Sequence, residues 1–112
     1  MDDRERRLAQ NEALFREMNE QAYELAETFG HASARTLGIV CECAQRECAE
    51  PIHVTLEQYE GVRSHGARFF VARGHESADI GRVVGEGAGF VIVEKTGDLK
   101  EFVERHDPRR RG

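Results

Sequence analysis

The apolar and polar positions of this chain fall into two regimes. Residues 3 to 28 hold neither glycine nor proline and are rich in Glu, Ala, Leu, Arg and Gln, all good helix formers. Leu8, Phe15, Ala22 and Phe29 recur seven apart, with Met18 and Leu25 between them and Asn11 as a polar interruption. That heptad-like stripe predicts one amphipathic helix about 39 Å long. Gly30 is the expected C′ residue that stops it. Two readings stay open for this helix, an amphipathic helix packed on its own domain and a coiled-coil or partner-docking helix.

Beyond residue 36 the pattern shortens. Leu37-Gly38-Ile39-Val40 and Ile52-His53-Val54 read as short strands, with Pro51 closing the segment between them. Thr55-Leu56-Glu57-Gln58 has the form of a capping box and opens a short helix carrying Leu56, Tyr59 and Val62 that ends near Gly66. Phe69 to Ala72 reads as a strand closed by Arg73-Gly74-His75-Glu76. Arg82-Val83-Val84 and Gly89 to Glu94 read as a hairpin turning through Gly85-Glu86-Gly87-Ala88-Gly89. Asp98-Leu99-Lys100-Glu101 looks like a second capping box, opening a helix with Leu99, Phe102 and Val103 that Asp107-Pro108 ends. Arg109-Arg110-Arg111 is expected to be a solvated terminus. The predicted class is α+β, with a long N-terminal helix over residues 1–30. A small metal-stapled domain follows over 31–112, with a short antiparallel sheet and two short helices.

Composition narrows the functions available. A chain of 112 residues buries only about two-thirds of its unfolded surface, so a modest core and a metal staple together suit its size. Its formal net charge of -5 argues against a general nucleic-acid binder, which needs a basic face. The run Phe90-Val91-Ile92-Val93 is far short of the roughly 20 apolar residues of a membrane span. Met1-Asp2-Asp3-Arg4 has no apolar h-region, so an export signal is not expected and the cytoplasm is the expected location. In a reducing compartment clustered thiols hold metal rather than pair.

All three cysteines lie in Cys41-Glu42-Cys43-Ala44-Gln45-Arg46-Glu47-Cys48, a C-x-C-x4-C motif. Structural zinc needs four ligands, so the rest of the chain must supply one. His75, in a glycine-containing turn after a strand, is the first choice, with Glu76 beside it as an acceptor for the imidazole N–H. His53 is the second choice. Glu42 and Glu47 are weaker, since zinc among thiolates takes nitrogen or sulfur more readily than oxygen. His31, His65 and His106 are read as surface residues. The expected set is Cys41, Cys43, Cys48 and His75 around Zn2+, a closed site of net charge −1. The two sulfurs of C-x-C are expected on opposite faces of an extended strand, so both reach one ion only if the backbone turns at the motif, as in a metal-binding knuckle.

The C-x-C-x4-C spacing resembles the zinc motif that follows the SET domain in lysine methyltransferases, and the first half of the SWIM zinc finger. The chain lacks the fourth cysteine of the one and the Cys-x-His of the other, and it has no SET domain, so the resemblance implies zinc ligation and no activity. The whole chain is also similar to a family of small, uncharacterised bacterial proteins. The residues that carry this are Asn11 to Glu17, the Cys-Glu-Cys with its third cysteine, Leu56 to Arg63, Gly74 to Glu76 and Val93 to Lys95. That resemblance implies one α+β unit with the same zinc-type site.

Enzyme motifs are sparse. Neither G-x-S-x-G nor H-E-x-x-H occurs, and the deaminase signature H-x-E…P-C-x-x-C is absent. Cys48 and His75 could form a nucleophile–base pair on paper, but a zinc-bound thiolate is a poor free nucleophile. A non-enzymatic interaction or regulatory module is the expected function, with a protein partner or a second copy docking on the N-terminal helix. A thiol redox or metal sensor is the alternative, because a C-x-C disulfide would be short, strained and labile.

Overall fold

The computed structural model describes residues 3–28, 36–43, 48, 50–75 and 81–109. The expectations that fall on Phe29, Gly30, His31, Glu47, Glu76, Arg110 and Arg111, and on the side chain of Leu8, lie outside the described residues. Among the described residues the order is α1 (Asp3–Thr28), β1 (Thr36–Val40), β2 (Pro51–Thr55), α2 (Leu56–Arg63), β3 (Arg68–Ala72), β4 (Gly81–Gly87), β5 (Phe90–Lys95) and α3 (Gly97–Arg105). The α+β class with a long N-terminal helix and two short helices is as expected.

The strands form two antiparallel sheets. β1 and β2 make a hairpin whose register pairs Leu37 with Val54 and Ile39 with Ile52. Both strands alternate, so these four residues share the buried face while Gly38 and His53 are exposed. The second sheet has the order β3-β5-β4. β5 lies in its centre, and Phe90, Val91 and Val93 are buried. β3 is an edge strand, yet Phe69, Phe70, Val71 and Ala72 are all buried. Burying a phenylalanine fully stabilises the fold by about 1.5–3 kcal/mol. Tyr23, Tyr59, Phe70 and Phe90 form a continuous aromatic run with ring centroids 4.8, 5.7 and 5.5 Å apart, joining α1, α2, β3 and β5.

The capping box of α2 forms as its sequence predicts. Gln58 N–H donates to Thr55 Oγ1 at 2.9 Å, and Thr55 N–H donates to Gln58 Oε1 at 2.8 Å. The second box does not form. α3 begins at Gly97 with Thr96 as N-cap and no side-chain cap hydrogen bond. β5 runs to Lys95, so the chain must enter the helix before Asp98, which becomes a first-turn acid favoured by the helix dipole. The glycine-rich segment is also mostly strand rather than turn. β4 continues to Gly87, with a register shift between Val83 and Gly85, and the turn is only Ala88-Gly89. At Gly87 an added Cβ would collide with the Phe90 ring, so a glycine is required there within the strand.

The core-facing stripe of α1 is polar. Ala9, Glu12, Arg16, Asn19, Glu20 and Tyr23 are buried. Leu14, Met18 and Leu25, two of which belong to the expected apolar stripe, are 56%, 48% and 58% exposed. At 100° per residue the two sets lie on opposite sides of the helix. Most of the inward polar groups have identified partners, the buried Arg16 Nε being an exception. Lys95 ion-pairs with Glu12. Arg16 donates to the carbonyls of Gly66 and Val103. Arg16, Arg63 and Lys95 surround the Phe69 ring at 4.6, 5.5 and 5.5 Å from its centroid, so the ring faces three cations. Arg109 is part of this scheme rather than a solvated tail. Its Nε donates to Glu20 at 2.6 Å and its Nη1 to Glu60 at 2.8 Å, with the guanidinium 5.4 Å from the Tyr23 ring.

Candidate metal centre

The hairpin β1–β2 sets the site by leaving residues 41–50 as its connection. Cys41 N–H donates to Glu50 O at 2.8 Å, which extends the ladder by one residue past the Val40–Pro51 pair. The backbone stays unturned through Cys41 and Glu42 and bends at Cys43. Alternation along extended backbone puts residues i and i+2 on one side and i+1 on the other. Cys41 and Cys43 therefore share a side without the turn expected between them, since i and i+2 already face one way, and Glu42 enters the core, where it is fully buried.

The free edge of β3 supplies the second wall. Glu42 N–H donates to Phe70 O at 2.8 Å. Ala72 N–H donates to Cys41 Sγ at 3.1 Å. The chain then turns at Gly74, whose φ of +93° lies where L side chains are strained. His75 N–H closes that turn on Ala72 O at 2.9 Å. The His75 ring is thereby brought back over the cysteines. Its Nδ1 is 3.4 Å from Cys48 Sγ and 3.8 Å from Cys41 Sγ.

The ligand atoms of Cys41, Cys43, Cys48 and His75 all lie within 4.8 Å of one another. Zinc–sulfur bonds of about 2.3 Å and zinc–nitrogen bonds of about 2.0 Å in a tetrahedron require donor separations of roughly 3.5–3.8 Å. The two sulfur–nitrogen distances lie close to that range while the set as a whole spans up to 4.8 Å, so these four side chains could hold a metal ion. Cys41 and Cys43 are buried, Cys48 is half-buried and His75 is exposed. Burial pushes the Cys41 thiol up to about 12. A thiol so placed is neutral and unreactive on its own, and becomes a strong ligand when a divalent cation offsets the cost of its charge.

No protein-family model, curated protein or solved structure matches this chain. The motif resemblances therefore rest on their own residues.

The other described histidines named from the sequence stand apart from this group. His53 is on the exposed face of β2, paired with Gly38 across the hairpin. His65 and His106 are exposed, the latter against Phe102 with centroids 4.4 Å apart. Two residues that matter to the site escaped the sequence reading. Glu42 is an internal anchor rather than a weak ligand, and the alternation within C-x-C was the available signal. Asn19 lies in the middle of α1 and contacts the segment that carries Cys41, and no local pattern marks it.

Proposed function

We propose that this chain is a small zinc-binding protein in which the metal is structural and the protein works by docking rather than by catalysis. The observation that carries this reading is the convergence of three thiols and one imidazole nitrogen from two separate segments within 4.8 Å. A set of three cysteines and one histidine is a closed tetrahedral site that leaves no position for water or substrate. Cys41, Cys43 and Cys48 would hold the ion from the β1–β2 connection and His75 from the turn after β3. When bound, the ion would staple that connection to the second sheet, and its binding free energy would act as folding free energy. Among the described residues no helix is long and apolar enough to cross a membrane. The docking face is the outer side of α1, where Leu14, Met18 and Leu25 form an exposed apolar stripe.

Metal analysis of the purified chain tests the site. About one zinc per chain is expected, weakened strongly by His75→Ala and left intact by His53→Ala; equal effects, or no zinc, would refute the assignment. The docking face is tested by Leu14→Glu with Met18→Glu. These exposed positions should leave the melting temperature nearly unchanged while abolishing self-association or partner capture by the wild-type chain.

A thiol-sensing reading draws on one observation, the partial exposure of Cys48 beside the exposed His75. Mild peroxide would then release zinc and form a disulfide, and a thiol reductant would reverse both. An inert, zinc-retaining chain would eliminate that reading.

A further inference from the structure

We propose that the Glu42 carboxylate is the positioning residue of the Cys41–Cys43 pair, and that through Asn19 it makes metal occupancy and the seating of α1 a single equilibrium. This deepens the metal-binding reading and rests on it.

Glu42 is the middle residue of C-x-C, and its side chain has none of its surface exposed. Every polar contact it makes ties the motif to a different element. Phe70 N–H donates to Oε1 at 2.8 Å, while Glu42 N–H donates to Phe70 O at 2.8 Å. The carboxylate thus stands in for a strand carbonyl and completes a two-bond bridge to the free edge of β3. Asn19 Nδ2 donates to Oε2 at 2.8 Å from α1. Arg63, on α2, holds its Nη2 3.8 Å from Oε1.

Asn19 does more than meet the carboxylate. Its Nδ2 also donates to Val40 O at 2.9 Å, and Val40 N–H donates to Asn19 Oδ1 at 3.0 Å. One side chain of α1 therefore grips the residues immediately before and after Cys41. The same β3 strand that receives Glu42 also offers Ala72 N–H to the Cys41 sulfur and leads into the turn bearing His75. Moving the carboxylate moves both halves of the ligand set relative to each other. Undocking α1 removes the clamp on Val40 and Glu42, and distorting the C-x-C segment removes the acceptor that Asn19 needs.

An ordinary buried acid would affect stability alone. A positioning acid must also change metal affinity in chains that remain folded, and the coupling must appear in α1, outside the metal loop. The test uses the full chain, with zinc and cobalt affinities from competition against a chromophoric chelator and amide exchange measured across residues 12–26. Glu42→Gln keeps the shape of the side chain but loses its charge, and should weaken zinc by about 10–100-fold, the range for groups that orient ligands. Asn19→Ala leaves Glu42 in place and should weaken zinc by a smaller factor. Zinc should slow exchange in α1 of the wild-type chain, and do so much less in Asn19→Ala. Folded Glu42→Gln with wild-type affinity, or α1 exchange indifferent to zinc, would overturn the proposal. Should Glu42→Gln fail to fold, Asn19→Ala decides: wild-type affinity together with zinc-protected exchange in that variant overturns the coupling. A wild-type chain that shows no sulfur-to-cobalt charge-transfer band would instead remove the metal reading itself, a different result from the first two.

Discussion

Lys95→Met should be among the most destabilising single changes available outside the metal site. Lys95 and Glu12 form an ion pair between β5 and α1 with only 2% and 3% of their side chains exposed. Methionine keeps the length and the apolar stem but leaves Glu12 as a buried carboxylate without its counter-charge. Removing one member of such a pair costs about 3–5 kcal/mol. At about 2.1 cal/mol/K per residue, a chain of 112 residues has an unfolding entropy near 0.24 kcal/mol/K, so each kcal/mol shifts the midpoint by about 4 °C. The expected loss is therefore roughly 12–20 °C in thermal unfolding at neutral pH with zinc in excess. Glu12→Leu combined with Lys95→Met replaces the pair by apolar side chains and should restore most of that loss.

The pH dependence supplies an independent check. Burial holds the Glu12 carboxyl above its ordinary range, although Lys95 pulls the other way. A raised carboxyl pKa in the fold means that the stability contributed is fully present below the unfolded value and is lost as pH rises through the folded one. Removing Lys95 raises the folded pKa further, so the penalty spans a wider window. The gap between wild type and Lys95→Met should be smallest below the ordinary carboxylate pKa and grow as pH rises above it. A cost below about 1 kcal/mol, a gap independent of pH, or a double variant no better than the single one would refute the reasoning.

Chelation of zinc should lower the wild-type midpoint steeply, since a ligand at 1,000 times its dissociation constant contributes about 4 kcal/mol; Cys48→Ser should abolish most of the difference, as read by scanning calorimetry with and without chelator. Thr55→Ala removes the Oγ1 acceptor of the α2 capping box, leaving the Thr55 N–H to Gln58 Oε1 half in place, and should cost about 0.5–2 kcal/mol, measured by denaturant midpoint, without altering zinc content. Gly74→Ala forces an L side chain to a φ of +93° and displaces His75, so zinc affinity should fall along with stability, whereas Gly61→Ala, with open space around its Cβ, should leave affinity alone. Hydrogen bonding from Arg109 holds the Glu60 carboxyl below its ordinary range, so the stability it brings is present above the ordinary carboxylate pKa and is lost as pH falls through the lowered one. Arg109→Ala should accordingly flatten the acid limb of the stability curve.

The residues that follow local rules were legible in the sequence. β1 and β2 show two-residue alternation, α2 carries its capping box, and three cysteines within eight residues leave few alternatives to a shared ligand. His75 could be singled out because a glycine turn after an apolar strand is a place where a side chain can be aimed. What failed were features decided by distant partners. Nothing near Arg109 announces Glu20 or Glu60, and nothing in Gly85-Glu86-Gly87 shows that Phe90 packs across it. Asp98 has every local mark of an N-cap and loses the position because β5 extends to Lys95.

The inner face of α1 was the most deeply hidden, and its polarity has a physical consequence. Leu14, Met18 and Leu25 on the outer side would satisfy an apolar groove as well as any inner stripe could. A helix with two equivalent apolar faces could seat on its domain in either rotation. Glu12, Arg16 and Asn19 remove that ambiguity, because each has a partner only when facing inward: Lys95, the carbonyls of Gly66 and Val103, and the Val40–Glu42 segment. Turned outward, they would leave Lys95 and Glu42 buried without these partners, at several kcal/mol for each uncompensated charge. The charged stripe thus fixes the rotation of the helix, and it is this fixed rotation that leaves Leu14, Met18 and Leu25 facing solvent.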